Sequence, residues 1–67
     1  MKIKVNSNWL EVEQGNHLHA LLESLLLHQK SGMAVAVNAT VIPKKDWQQF
    51  ELRENDEIII IEAAQGG

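Results

Sequence analysis

Glu57-Ile58-Ile59-Ile60-Ile61-Glu62 runs directly into Ala63-Ala64-Gln65-Gly66-Gly67, and these eleven residues constrain the chain more than any others. Four consecutive β-branched residues between two acids form the strongest strand signal in the sequence. A strand packed on one face needs only two of them. With Glu57 toward solvent, alternation puts Ile58 and Ile60 in the core and Ile59 and Ile61 on the opposite face. Glu62 argues for the reverse parity, but it stands where the strand frays into the tail. Read as a free terminus, Gly66-Gly67 presents a carboxylate on a stem without Cβ atoms. Such a stem threads a narrow cleft and lets another protein's catalytic groups approach the backbone.

The residues upstream supply what this strand pairs with. Met1, Ile3 and Val5 alternate with Lys2 and Lys4, the period of a half-buried strand. Asn6-Ser7-Asn8 provides turn formers, and Trp9-Leu10-Glu11-Val12-Glu13 alternates again, so residues 1–13 read as a hairpin. Leu10 and Val12 fall on its core side, and Trp9 falls on the polar side with Glu11 and Glu13. Asn16 suits an N-cap. Leu18, Leu21, Leu22, Leu25 and Leu26 then form one helical stripe, with Leu27 off it and Ser31-Gly32 as the expected stop. Ala34-Val35-Ala36-Val37 is apolar on both parities, a strand that allows burial on both faces. Asn38-Ala39-Thr40 turns into the brief extended pair Val41-Ile42, which Pro43 ends. Lys44-Lys45-Asp46-Trp47 suits a single helical turn that brings Trp47 to the core edge. Phe50 and Leu52 suggest one more extended piece before the turn Arg53-Glu54-Asn55-Asp56. One helix across one mixed sheet of four to five strands accounts for every periodic element, an α+β two-layer domain over residues 1–62 with 63–67 as a flexible tail.

Composition narrows the function classes. A 67-residue chain is one small domain, and at this size about 60% of the unfolded surface is buried on folding. There is no cysteine, which removes disulfides, thiolate metal sites and a thiol nucleophile. The net charge is −3, and the six basic residues are scattered instead of forming the concentrated face that nucleic acids require. Met1 to Val5 alternates where a signal peptide would be continuously apolar, and Met33–Val37 is far too short to span a bilayer. The expectation is a cytoplasmic protein with no membrane or nucleic-acid partner. His17 and His19 point in different directions on a helix and His28 lies further along, so they read as surface histidines, with no metal expected. No nucleophile–base–acid arrangement is present, and a domain this small has little room for a pocket, so a free-standing enzyme is not expected. Lys44-Lys45-Asp46 reads as solvated surface or as a contact for an acidic partner. An exposed Ile59 and Ile61 would form a partner patch, or would be covered by a flanking element or a dimer contact.

The order of elements, at this length and with a strand leading into Gly66-Gly67, resembles the β-grasp fold of ubiquitin and the bacterial sulfur carriers. The resemblance is closest to the thiamine-biosynthetic sulfur-carrier family, and it spans nearly the whole chain. It rests on Met1-Lys2-Ile3-Lys4-Val5-Asn6, the leucine helix after Gly15, Ala36-Val37-Asn38, Val41-Ile42-Pro43-Lys44 with Trp47, and Asp56 with Ile58 and Ile60. Two departures stand out: Asn6-Ser7-Asn8 where the family often has Asn-Gly, and Gln65 where a small apolar residue commonly precedes the glycine pair.

The resemblance implies a protein co-substrate and no catalyst. An E1-like adenylating enzyme would consume ATP to convert the Gly67 carboxylate to an acyl-adenylate. Sulfur from a cysteine desulfurase or another sulfur donor would give a thiocarboxylate, and thiazole synthase would receive that sulfur. Ala63, Ala64, Gln65 and Gly66 would thread the partner clefts, and no cofactor would be bound by the chain itself. The residues agree on one point: with no side-chain sulfur nucleophile, any sulfur carried must sit at the terminus. Two other classes stay open on the residues alone. One is a different terminal-glycine carrier, either the molybdopterin type or a ubiquitin-like protein modifier. The other is a β-grasp interaction module with an inert tail, which would survive loss of Gly67.

Overall fold

The structure, a computed structural model, describes residues 1–25 and 32–62. Five strands, β1 (Lys2–Val5), β2 (Asn8–Glu11), β3 (Met33–Val37), β4 (Thr40–Val41) and β5 (Glu57–Glu62), form one mixed sheet in the order β2-β1-β5-β3-β4. One helix, α1 (Leu18–Ser24), and a single 3-10 turn, Lys44–Asp46, complete the regular elements among the described residues. The strand nearest the C-terminus is therefore the middle strand. It runs parallel to β1, with Val5 opposite Ile58, and antiparallel to β3, with Val37 also opposite Ile58. Parallel pairing of β1 and β5 is possible only because α1, β3 and β4 intervene as a crossover.

One face of this sheet carries the core. Ile3, Val5, Val35, Val37 and Ile58 point to it and meet Leu18, Leu21 and Leu22 of α1, with Leu52, Ile42 and Trp47 closing the rim. Each large aliphatic side chain buried there stabilises by about 1.5–3 kcal/mol. Trp47 lies deeper than the core edge expected of it: it is buried, and its indole Nε1–H donates to the Ile42 carbonyl at 2.9 Å. That partner is what lets an indole enter the core.

Both hairpins close through two-residue turns with positive φ at each central position, Asn6 (47°) and Ser7 (74°), then Asn38 (50°) and Ala39 (71°). This is the type I′ geometry, whose twist matches that of the flanking strands. Asn tolerates it well, whereas Ser7 and Ala39 hold a strained backbone that glycine would relieve. Thr40, expected in the second turn, is already in β4. Beyond β2, the first hairpin continues for one more pair, with Val12 N–H donating to the Met1 carbonyl and the Met1 amine to the Val12 carbonyl.

Three local expectations are corrected. The helix N-cap is His17, one residue after Asn16, and no side chain caps it. The first helical amides are satisfied from elsewhere: Leu18 N–H donates to the Phe50 carbonyl at 2.8 Å and His19 N–H to that of Trp47 at 3.1 Å. Backbone carbonyls thus do what a capping side chain would otherwise do. The same contact reduces the expected Phe50–Leu52 strand to one bridge, His17 opposite Glu51, with Leu52 N–H on the Asn16 carbonyl. Finally, among the described residues α1 ends at Ser24, with Leu25 of the leucine stripe as its C-cap. There the Ser24 hydroxyl donates to the Leu21 carbonyl at 2.7 Å, competing with continuation of the helical ladder. Leu26, Leu27, His28 and Ser31 lie outside the described residues.

Candidate functional site

The site begins where β5 ends. Glu62 is the last described residue, so Ala63, Ala64, Gln65, Gly66 and Gly67 lie outside the described residues, and what the structure supplies is their root. That root is paired on one side through Glu62, which stands opposite Met33 of β3. On the other side, β1 reaches only as far as Ile58, through Asn6 N–H donating to the Ile58 carbonyl at 2.9 Å.

The parity of the four isoleucines follows their alternation. Ile58 is buried and Ile60 packs against the core, while Ile59 is half-buried and Ile61 is 59% exposed on the other face. Antiparallel register brings more residues to that open face. Ala34 stands opposite Ile61 and Ala36 opposite Ile59, and Ala36 also pairs with Val41 of β4, itself 66% exposed. The expectation that β3 is buried on both faces is corrected: Val35 and Val37 are buried, whereas Ala34 is exposed and Ala36 only half-buried. Among the described residues no helix covers the second face, so small side chains there face outward. Val41, Ala34 and Ala36 are residues that sequence reasoning missed, because Ala34-Val35-Ala36-Val37 is apolar on both parities.

The open face has two halves. The β5-β3-β4 half is the apolar one just described. The other is charged and aromatic, with Lys4 opposite both Trp9 and Glu57, and Lys2 opposite Glu11. Trp9 is 56% exposed, as its parity with Glu11 requires, and the Lys4 ammonium sits 5.7 Å from its ring centroid. Such a pair contributes about 0.5–1 kcal/mol at an exposed site.

Asn6, a turn former to which the sequence assigned no part in the site, joins it. Asn6 turns its carboxamide onto β5, where Oδ1 accepts from Ile60 N–H at 2.8 Å and Nδ2 donates to the Ile60 carbonyl at 3.3 Å. Asn38 does the corresponding thing at the start of β5. Its Oδ1 accepts from Glu57 N–H and its Nδ2 donates to Asp56 Oδ1, both at 2.9 Å. Asp56, only 8% exposed, also accepts from Arg53 N–H at 2.8 Å, which locks the turn before β5. Among the described residues no cluster of three or more histidine or acidic side chains is placed to hold a metal, and no helix is long and apolar enough to cross a membrane.

Comparison with known proteins places this geometry. Residues 2–67 match the ThiS family. The chain is 31% identical over 67 residues to the sulfur carrier protein ThiS of Escherichia coli (strain K12), covering 100% of both. Its fold matches the crystal structure of the thiamine biosynthesis protein ThiS from Geobacter metallireducens with a TM-score of 0.84, at 20% identity and with 100% of each chain covered. The solution structure of a thiamine biosynthesis protein from the same organism matches with a TM-score of 0.78, also at 20% identity, covering 100% of this chain and 88% of the other.

Proposed function

The chain belongs to the ThiS family, and from that premise we propose that Gly67 is the residue that carries sulfur, as a C-terminal thiocarboxylate used in thiamine biosynthesis. A carboxylate is a poor acyl donor because oxide does not leave. Reaction with ATP gives an acyl-adenylate and pyrophosphate, and AMP then leaves when sulfur attacks, so one carboxylate oxygen departs and one sulfur takes its place. A sulfide donor yields the thiocarboxylate directly. A persulfide donor yields an acyl disulfide that a thiol must cleave. The chain contributes no catalytic side chain to these steps. It is a protein co-substrate, and an E1-like adenylating enzyme, a cysteine desulfurase or other sulfur donor, and thiazole synthase are its proposed partners.

The observation that carries this reading is the position of β5. The middle strand of the sheet leads straight into Ala63-Ala64-Gln65-Gly66-Gly67, beside an open apolar half-face. Ile59 and Ile61, with Val41 two strands away beyond Ala36, form the proposed docking patch. Ala63 to Gly66 form the proposed stem that enters the partner's cleft. A glycine pair suits such a cleft because no Cβ obstructs the approach to the carbonyl of Gly67.

The test is the intact mass of the protein after incubation with an adenylating enzyme, ATP and a sulfur source. The expected result is the gain of one sulfur for one oxygen, abolished when Gly67 is deleted. Absence of that gain with a sulfurylation system active on another carrier overturns the reading and favours a module with an inert tail. The docking patch has its own test. Ile61→Glu should leave the melting temperature unchanged, since Ile61 is exposed, and raise the KM for the carrier about tenfold, as loss of a central apolar contact does. An unchanged KM would remove Ile61 from the patch.

A further inference from the structure

The type I′ turn after β1 takes the main chain away from β5 just where the parallel ladder would next join Asn6 to Ile60. Main-chain pairing stops at Asn6 N–H on the Ile58 carbonyl. At the next position the Asn6 carboxamide stands in for a peptide group, accepting from Ile60 N–H and donating to the Ile60 carbonyl. Both main-chain groups of Ile60 are thus held by this single side chain, because Val35, its Cα partner in β3, turns its carbonyl to Ile42 N–H of the next segment. Both bonds are exposed to solvent, where water replaces a lost partner readily and the net contribution to stability is small. A contact that adds little stability can still decide geometry, because it removes freedom from the strand end to which residues 63–67 are joined.

We propose that Asn6 is a positioning residue for the sulfur-transfer reaction: its carboxamide pins Ile60 and so fixes the root of the tail relative to the docking residues Ile59 and Ile61. The proposal rests on the reading of Gly67 given above. A partner must engage the open face and the terminal carboxylate together, and every degree of freedom left at the junction is lost on binding. Asn6 removes one such freedom beforehand. Its effect belongs to KM, because it organises the free carrier and never touches the reacting atoms.

Two variants separate the carboxamide from the turn that bears it. Asn6→Gly keeps the positive φ and deletes the carboxamide. Ser7→Gly alters the same turn and keeps the carboxamide. Amide exchange followed by NMR should show faster exchange at Ile60 in Asn6→Gly alone, with the Val35 and Ile58 amides unchanged. In thiocarboxylate formation read by intact mass, Asn6→Gly should raise the KM for the carrier about tenfold with kcat held within about twofold, and Ser7→Gly should match the parent. A parental KM for Asn6→Gly overturns the proposal. So does an equal rise in Ser7→Gly, which would assign the effect to the turn, or faster exchange at Val35 and Ile58, which would assign it to the fold. If the parent itself gains no sulfur, the reading of Gly67 falls and this proposal falls with it. If the parent reacts and Asn6→Gly reacts equally well, only the positioning role falls.

Discussion

The two hairpin turns begin with the same residue, adopt the same backbone and reach the same strand, yet they do different work. Asn6-Ser7 and Asn38-Ala39 both have positive φ at both positions. Because β1 runs parallel to β5 and β3 antiparallel to it, the first turn arrives at the C-terminal part of β5 and the second at its start. Asn38 enters a part-buried network in which Asp56 holds both it and Arg53 N–H. Asn6 binds Ile60 in the open. A polar group cut off from water costs far more to leave unpaired than one that water can reach. Asn38 therefore belongs to the stability of the fold, and Asn6 to the geometry of its exit.

The largest expected effect is at the turn bonded to buried Asp56. Asn38→Ala removes the partner of Asp56 and the acceptor for Glu57 N–H, and it places a Cβ-bearing residue without a carboxamide at φ 50°. A loss of about 2–4 kcal/mol is expected from urea unfolding. A loss below about 1 kcal/mol would erase the distinction between the turns. Asn38→Gly relieves the backbone term and should recover about 1 kcal/mol of that loss, so the pair of variants separates strain from hydrogen bonding. Asn6→Gly comes next, with an expected loss under about 1 kcal/mol despite the removal of two hydrogen bonds. If it costs as much as Asn38→Gly, the exposed carboxamide is structural after all. The smallest effect compares the backbones alone. Ser7→Gly and Ala39→Gly share nearly the same φ and should each stabilise by about 0.5 kcal/mol, equally, once the entropy of the unfolded glycine is set against the relieved strain.

Much of this could be read along the chain. Alternation in β5 assigned Ile58 and Ile60 to the core and Ile59 and Ile61 to the other face, and the same rule placed Trp9 outside. The leucine stripe located α1, and Pro43 ended the strand before it. Gly67 as the proposed sulfur-bearing residue comes from the family resemblance, with which the absence of any side-chain sulfur nucleophile agrees. The misses have one cause. Asn16 suits a cap by its own side chain, but Phe50 and Trp47, distant in sequence, supply the carbonyls instead. The open side of β3 was hidden because an apolar run reads alike whether one face or two are covered.

Local order in the chain determined what each segment would be, since strand and helix periods are set by neighbouring side chains and a shared solvent boundary. It determined too that residues 63–67 would follow directly from the strongest strand. Only the tertiary structure decided that this strand lies in the middle of the sheet, that the apolar open half-face stands beside it, and that Asn6 reaches Ile60 across 54 positions of sequence. Strand order and side-chain hydrogen bonds of that span depend on which distant segments meet, and that outcome follows from joint burial of one core, not from any local pattern.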